Sequence, residues 1–153
     1  MDLILWRHAE AENNAEKCDD MQRALTVRGH KQAVRMAAWL DQRLPENTRV
    51  LCSPALRCEQ TALALGRKYK ICQELVSDVP TADTLRAAHW PTGKHTMLLI
   101  GHQPALGQLI AQLIGLHQTP CSLQKGALWW LRAREREGQW QTLVVAAQSP
   151  ETV

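Results

Sequence analysis

Residues 3–12 read LILWRHAEAE. Leu3 to Trp6 have no polar position among them, which marks a strand buried on both faces rather than one with a wet side. The run stops on Arg7 and His8, a cation and an imidazole side by side at the strand's carboxyl end. Parallel sheets sandwiched between helices bury their strands in this way, and they form ligand sites at those carboxyl ends. The stretch therefore predicts an architecture and a place for its chemistry.

The chain beyond it keeps the same grammar. Thr26 is a side-chain N-cap, and TVRGHKQAVRMAAWLDQRL sets Ala33, Ala37, Leu40 and Leu44 on one helical face before Pro45. Arg49–Cys52 reads as a second short strand. Ser53 as N-cap and Pro54 at the first helical position then open a helix over PALRCEQTALALGRKY. Tyr69–Cys72 is a brief third strand and Thr81–Trp90 a weaker helix. Thr96–Ile100 is another doubly buried strand, followed by Gly101-His102. Gln103-Pro104 repeats the cap-and-proline opening, for PALGQLIAQLIG. At the tail, Leu128–Arg134 and Gln139–Ala146 flank Glu137-Gly138 and read as an antiparallel hairpin. The expectation is one domain, residues 1–153, of the α/β class. It is a three-layer α/β/α arrangement with a mainly parallel central sheet and a C-terminal antiparallel hairpin.

Composition narrows the function. The 153 residues suffice for one core, and a hydrophobic share of 45% is that of a globular chain. A net charge of +3 suits anionic substrates but falls short of a polybasic nucleic-acid surface. Cys18, Cys52, Cys58, Cys72 and Cys121 are odd in number and scattered, which argues against a disulfide framework or a zinc knuckle and fits a reducing compartment. Only a four-residue apolar run follows Asp2, which is no signal peptide, and no apolar run approaches bilayer-spanning length. A cytoplasmic location without a membrane partner is expected.

Three polar signatures sit at strand ends: Arg7-His8, Arg57 within CSPALRCEQT, and His102. Guanidinium forks match phosphate oxygens, and helix N-termini add N–H donors. A neutral imidazole nitrogen can attack phosphorus and form a covalent phosphohistidine that water resolves. The surrounding cations neutralise charge on the transferring group. With four such side chains supplying charge, neither metal nor cofactor is expected.

WRHAEAE, CSPALRCEQTA and LLIGHQPALG, in that order, resemble the histidine phosphatase, or phosphoglycerate mutase-like, superfamily. The short length, the terminal hairpin and the run RALT at 23–26 resemble its small SixA-type phosphohistidine phosphatase branch. The resemblance implies a phosphoglycerate mutase-like fold with His8 as phosphoryl acceptor. Arg7 and Arg57 would bind phosphate, and His102 would bind and stabilise the transferring group. Ala9 stands where the family usually has Gly, which implies some loss of fit to the ligand. Family acids follow the middle helix in an L-x-E context. Asp78 in Val76-Ser77-Asp78 is the nearest counterpart, with Glu10 and Asp20 as alternatives.

A weak acid is tolerable for phosphohistidine, because imidazole departs more readily than an alkoxide. Large family members also roof a small-molecule site with a long insertion, for which Gln73 to Lys94 is too short. Both points favour a protein bearing phosphohistidine, of phosphorelay or phosphotransferase type, over a small phosphate compound. A small-molecule phosphomonoesterase is the alternative. From another class, Arg132, Arg134 and Arg136 beside Trp130 raise a phosphoprotein- or nucleic-acid-binding module without catalysis. Ser53 reads as an N-cap only, Gln60 and Thr61 as helix packing, and Trp129 and Trp130 as core. His30, His89, His95 and His117 read as surface or helix-end residues. Activity is expected to fall at low pH as the His8 imidazole protonates, so that an acid limb surviving unchanged through pH 5 would count against this role.

Overall fold

The computed structural model describes residues 1–14, 16–116, 119 and 121–153, so the reading of His117 lies outside the described residues. The elements are β1 (Asp2–Arg7), α1 (Val27–Asp41), β2 (Arg49–Cys52), α2 (Leu56–Ala64), β3 (Lys70–Ile71), α3 (Thr81–Ala87), β4 (Met97–Gly101), α4 (Ala105–Ile114), β5 (Leu128–Arg136) and β6 (Gln139–Gln148). Short 3-10 turns occupy Asp20–Gln22 and Gln73–Leu75. The sheet runs β3-β2-β4-β1-β5-β6. Its first four strands are parallel, and β5 and β6 are antiparallel.

β1 lies inside the sheet, and its apolar run serves both faces. Ile4 and Trp6 join Met36, Ala37 and Leu40 of α1 and Cys58 and Ala62 of α2. Leu3 and Leu5 join Leu106, Leu109 and Ile110 of α4. All four strand residues are fully buried. At about 1.5–3 kcal/mol per large apolar side chain, no edge position would use them as well. The expected three layers follow from this division of one strand between two cores.

Element ends shift for identifiable reasons. α1 closes at Asp41, short of Pro45, while Leu44 stays buried. α2 starts at Leu56 instead of Pro54, because the Ser53 hydroxyl is engaged elsewhere. α3 ends at Ala87, and His89 beyond it has φ +56°, which a helix cannot contain. The opening of α4 does have its cap: Gly107 N–H donates to Gln103 Oε1 at 2.8 Å. At the hairpin turn, Glu137 and Gly138 have φ +52° and +76°, the two left-handed residues that match the strands' twist.

Three of the six tryptophans are tied into the structure by indole contacts. Trp6 Nε1–H donates to Gly126 O at 2.9 Å, and Trp130 Nε1–H to Asp2 Oδ2 at 2.9 Å. Trp39 meets Trp130 edge-on, with centroids 6.4 Å apart. The same Asp2 holds Arg132 through two hydrogen bonds of 2.7 and 2.8 Å, so the basic stripe on the hairpin is partly neutralised. Among the described residues, no helix is long and apolar enough to cross a membrane.

Candidate active site

Strand register brings the three signatures to one level. Arg7 pairs with Gly101 across β1 and β4, and Cys52 with Ile100 across β2 and β4. The next residues, His8, His102 and Ser53, therefore leave three adjacent strands together. His8 N–H donates to Gly101 O at 3.1 Å and Ser53 N–H to Ile100 O at 3.0 Å, extending the ladder by one step. A cavity of about 230 Å³ lies above them, lined by Arg7, His8, Arg23, Arg57, His102 and Lys125 among others.

The loop after β1 is tied down at several points. Ala9 N–H donates to Thr61 Oγ1 at 3.1 Å, and that hydroxyl donates to Arg57 O at 2.7 Å. Gln60 Oε1 accepts from Leu25 N–H at 2.7 Å. Gly29 of α1 lies so close to the Glu10 carbonyl that a Cβ would overlap it. The Ala9 methyl packs with Leu25 and Ala33 and does not line the cavity, so the expected loss of fit has no structural counterpart.

The imidazoles have defined tautomers. His8 Nδ1 is 2.7 Å from Ala9 O, which can only accept, so Nδ1 carries the proton and Nε2 keeps its lone pair. Arg57 Nε–H points at that lone pair from 3.4 Å. His102 Nδ1 lies 3.1 Å from Arg57 Nη2, a donor only; Nδ1 accepts, and Nε2–H donates to Ser53 Oγ at 2.7 Å. The rings are 5.4 Å apart. Ser53 is therefore a partner of His102 rather than a simple cap, and its contact with Ala55 N–H is a long 3.4 Å.

Burial sets the charge states. Desolvation brings the His8 pKa down to about 3, against the Ala9 hydrogen bond and with help from His102, Arg57 and Arg7. Desolvation and Arg57 bring His102 down to about 4. Both rings are neutral at pH 7. This corrects the expected acid limb, which moves below pH 5. Desolvation likewise pushes the buried Cys58 thiol, 3.5 Å from His102 Nε2, up to about 12. At neutral pH the His8 imidazole presents an unprotonated nitrogen to the cavity, whereas this thiol stays protonated.

The guanidiniums differ in how they are held. Arg57 Nη1 donates to Asp20 O at 2.8 Å and Nη2 to Asp20 Oδ2 at 3.1 Å. Arg7 Nη1 donates to Leu123 O at 2.6 Å, while its buried Nε–H has no acceptor among the described residues. Sequence reasoning did not assign two further cations. Arg23 was visible only as a letter in RALT, and Lys125 carried no signal. Arg23 Nε pairs with Asp20 Oδ1 at 2.9 Å.

The three carboxyl candidates separate. Asp78 is exposed, has φ +71° and does not line the cavity, although its neighbour Ser77 does. Glu10 Oε2 accepts from Thr26 Oγ1 at 2.8 Å and is turned to the start of α1. Asp20 touches Arg57; desolvation is the largest single influence on it and raises its pKa, but the hydrogen bonds and charges of Arg23 and Arg57 together outweigh it and hold the carboxyl below the usual range. None of the three is poised as a proton donor. Of the other histidines, His30 and His89 are exposed as expected, whereas His95 is half-buried with an unpartnered Nδ1.

Comparison with known proteins bears on this geometry. A profile of the histidine phosphatase superfamily (branch 1) matches residues 3–79, the span holding Arg7, His8 and Arg57. The chain belongs to the histidine phosphatase superfamily. It is 34% identical over 121 residues to the phosphohistidine phosphatase SixA of Escherichia coli strain K12, covering 74% of each chain. It is 30% identical over 134 residues to a SixA homolog of Haemophilus influenzae, covering 75% of this chain and 78% of that one. A solved structure of the protein histidine phosphatase SixA complexed with tungstate superposes with a TM-score of 0.82 at 28% identity, covering 98% and 97% of the two chains. The fold, terminal hairpin included, is that of the SixA-type branch, and the chain is a phosphatase with histidine-based catalysis.

Proposed function

We propose that this phosphatase removes the phosphoryl group from phosphohistidine on a protein, through a covalent intermediate on His8. The observation that carries the reading is the locked, neutral His8, with Nδ1–H spent on Ala9 O and the Nε2 lone pair facing the cavity cations. That lone pair attacks phosphorus as the substrate's P–N bond breaks. The bonding electrons return to the departing imidazole, which takes a proton from solvent. Water then attacks the phosphoryl group on His8, releasing phosphate and regenerating the ring. Arg7, Arg57 and His102 bind and stabilise the transferring group, with Arg23 and Lys125 adding charge at the rim.

Two features favour a phosphoramidate on a protein over a small ester. Among the described residues no carboxyl group is poised to protonate an alkoxide, and the segment between β3 and β4 gives the cavity lining only Ser77. An unroofed cavity of about 230 Å³ admits a phosphorylated side chain while leaving the rest of its carrier outside. The partner is then a phosphorelay or phosphotransferase-type carrier in the cytoplasm. Hydrolysis of a phosphohistidine carrier and of common phosphate esters, measured side by side, tests the reading. The carrier should react with kcat/KM at least about 100-fold higher. An acid-labile, alkali-stable phosphoenzyme should be lost in His8→Ala. Preference for esters, or a phosphoenzyme that persists without His8, overturns it.

A further inference from the structure

Arg57 is only 5% exposed, and a guanidinium so deeply buried needs its charge answered nearby. Among the described residues the only carboxylate that pairs with it is that of Asp20. The two edges of the guanidinium fork meet different partners. Nε and Nη2 are turned to the imidazoles, at 3.4 Å from His8 Nε2 and 3.1 Å from His102 Nδ1. Nη1 and Nη2 are gripped by Asp20, through its carbonyl oxygen and Oδ2. One residue thereby fixes the plane of the fork. The edge left toward the imidazoles is one that can match two phosphate oxygens.

The same carboxylate reaches a second cation. Asp20 Oδ1 accepts from Arg23 Nε at 2.9 Å, and Arg23 Nη1 donates to Glu12 O at 3.1 Å. Arg23 and Arg57 both line the cavity, whereas Asp20 does not. The turn that presents Asp20 has anchors of its own. Met21 packs against the core shared by β1, α1 and α2, and its N–H donates to Asp19 Oδ1 at 3.3 Å. Just beyond, Glu12 N–H donates to Ala24 O at 2.8 Å. Both oxygens of the Asp20 carboxylate are committed to guanidiniums, which suits a brace and not a proton donor.

We propose that Asp20 is a positioning residue for phosphoryl transfer, acting through Arg57 and Arg23. On the reading that His8 accepts the phosphoryl group, this grip aims the Nε–Nη2 edge of Arg57 at the oxygens in transfer. It also lets two like charges stand together before substrate arrives.

The test is steady-state kinetics of Asp20→Ala and Asp20→Asn on a phosphohistidine carrier and on a phosphate ester, with Arg57→Ala as a second background. Asp20→Ala should lower kcat at least about tenfold, change KM less than about threefold, and do so equally on both substrates. The amide oxygen of Asn can serve one guanidinium but not both, so Asp20→Asn should recover part of the rate. In the Arg57→Ala background, Asp20→Ala should cost less than about threefold more, because the group it chiefly aims is gone. Equal losses with and without Arg57 overturn the positioning role, as does a lower melting temperature with kcat unchanged. A loss far larger on the ester marks a proton donor, and faster turnover in Asp20→Ala marks a carboxylate that blocks the site; either overturns the proposal. Carrier preference and the phosphoenzyme on His8 decide the proposed function, and the coupling of Asp20 to Arg57 decides this one, so the two fail separately.

Discussion

β2 and β4 have basic side chains near both ends, and the two ends treat them in opposite ways. At the carboxyl end, Arg57 and His102 are only 5% and 3% exposed and are bonded to each other, to Ser53 and to Asp20. At the amino end, Arg49, Lys68 and Lys70 are exposed and make no ion pair among the described residues. Water-screened cations attract anions weakly and from many directions. Desolvated ones act strongly along fixed lines, at a cost in stability that the surrounding hydrogen bonds offset. Burial also keeps His8 unprotonated at neutral pH, with its Nε2 lone pair turned to Arg57.

Removing His8, the proposed nucleophile, should have the largest effect. His8→Ala should lower kcat by at least about 1000-fold with the fold intact by circular dichroism; appreciable residual turnover would move the chemistry elsewhere. Next is Arg57→Lys, expected to cost about 100-fold, since an ammonium cannot span His8, His102 and Asp20 as the fork does. Ser53→Ala should lower kcat about tenfold with KM little changed, because His102 loses the partner that fixes its ring. Ser53→Thr should restore most of the rate. If Ser53→Ala instead changes only the melting temperature, the hydroxyl is structural.

The pH dependence sharpens the same contrast. Protonation removes the lone pair proposed to attack phosphorus, and His8 and His102 resist it down to about 3 and about 4. Activity, corrected for spontaneous hydrolysis, should therefore persist through pH 5 and fall below about pH 4. Stability moves in the opposite sense from a salt-bridged histidine. Below the unfolded pKa the open chain takes up protons that the native rings refuse, so stability falls as pH drops from about 6.5 towards 4. Each ring should cost about 2 kcal/mol at pH 5, read as a smaller acid-induced loss of melting temperature in His8→Gln. The smallest effect belongs to the exposed end: Lys70→Glu should change hydrolysis less than about twofold. A large change there would show that the two ends are energetically coupled through β2 and β4.

The periodicity of LILW and TMLLI and the punctuation by Pro45, Pro54 and Glu137-Gly138 were enough for the order of elements, the layers and the hairpin. These are local signals, readable because a strand buried on both faces and a two-residue turn constrain residue types directly. Arg7, His8, Arg57 and His102 were legible because each stands beside such a signal, at a strand end or in the first turn of a helix. Lys125 and Arg23 were not. Neither sits at a patterned position, and both reach the cavity through loops whose path depends on distant contacts such as Gln60 with Leu25.

The sequence by itself determined the architecture and the four side chains that converge at the carboxyl end of the sheet. Only the tertiary structure decided what those side chains are. The pairing of Cys52 with Ile100 turns Ser53 from a cap into the anchor of His102. The fold of the loop after β1 gives His8 its tautomer, and water's exclusion gives it its neutrality. Tautomer and charge state are properties of an environment assembled from residues dozens of positions apart, and no pattern along one strand or helix encodes them.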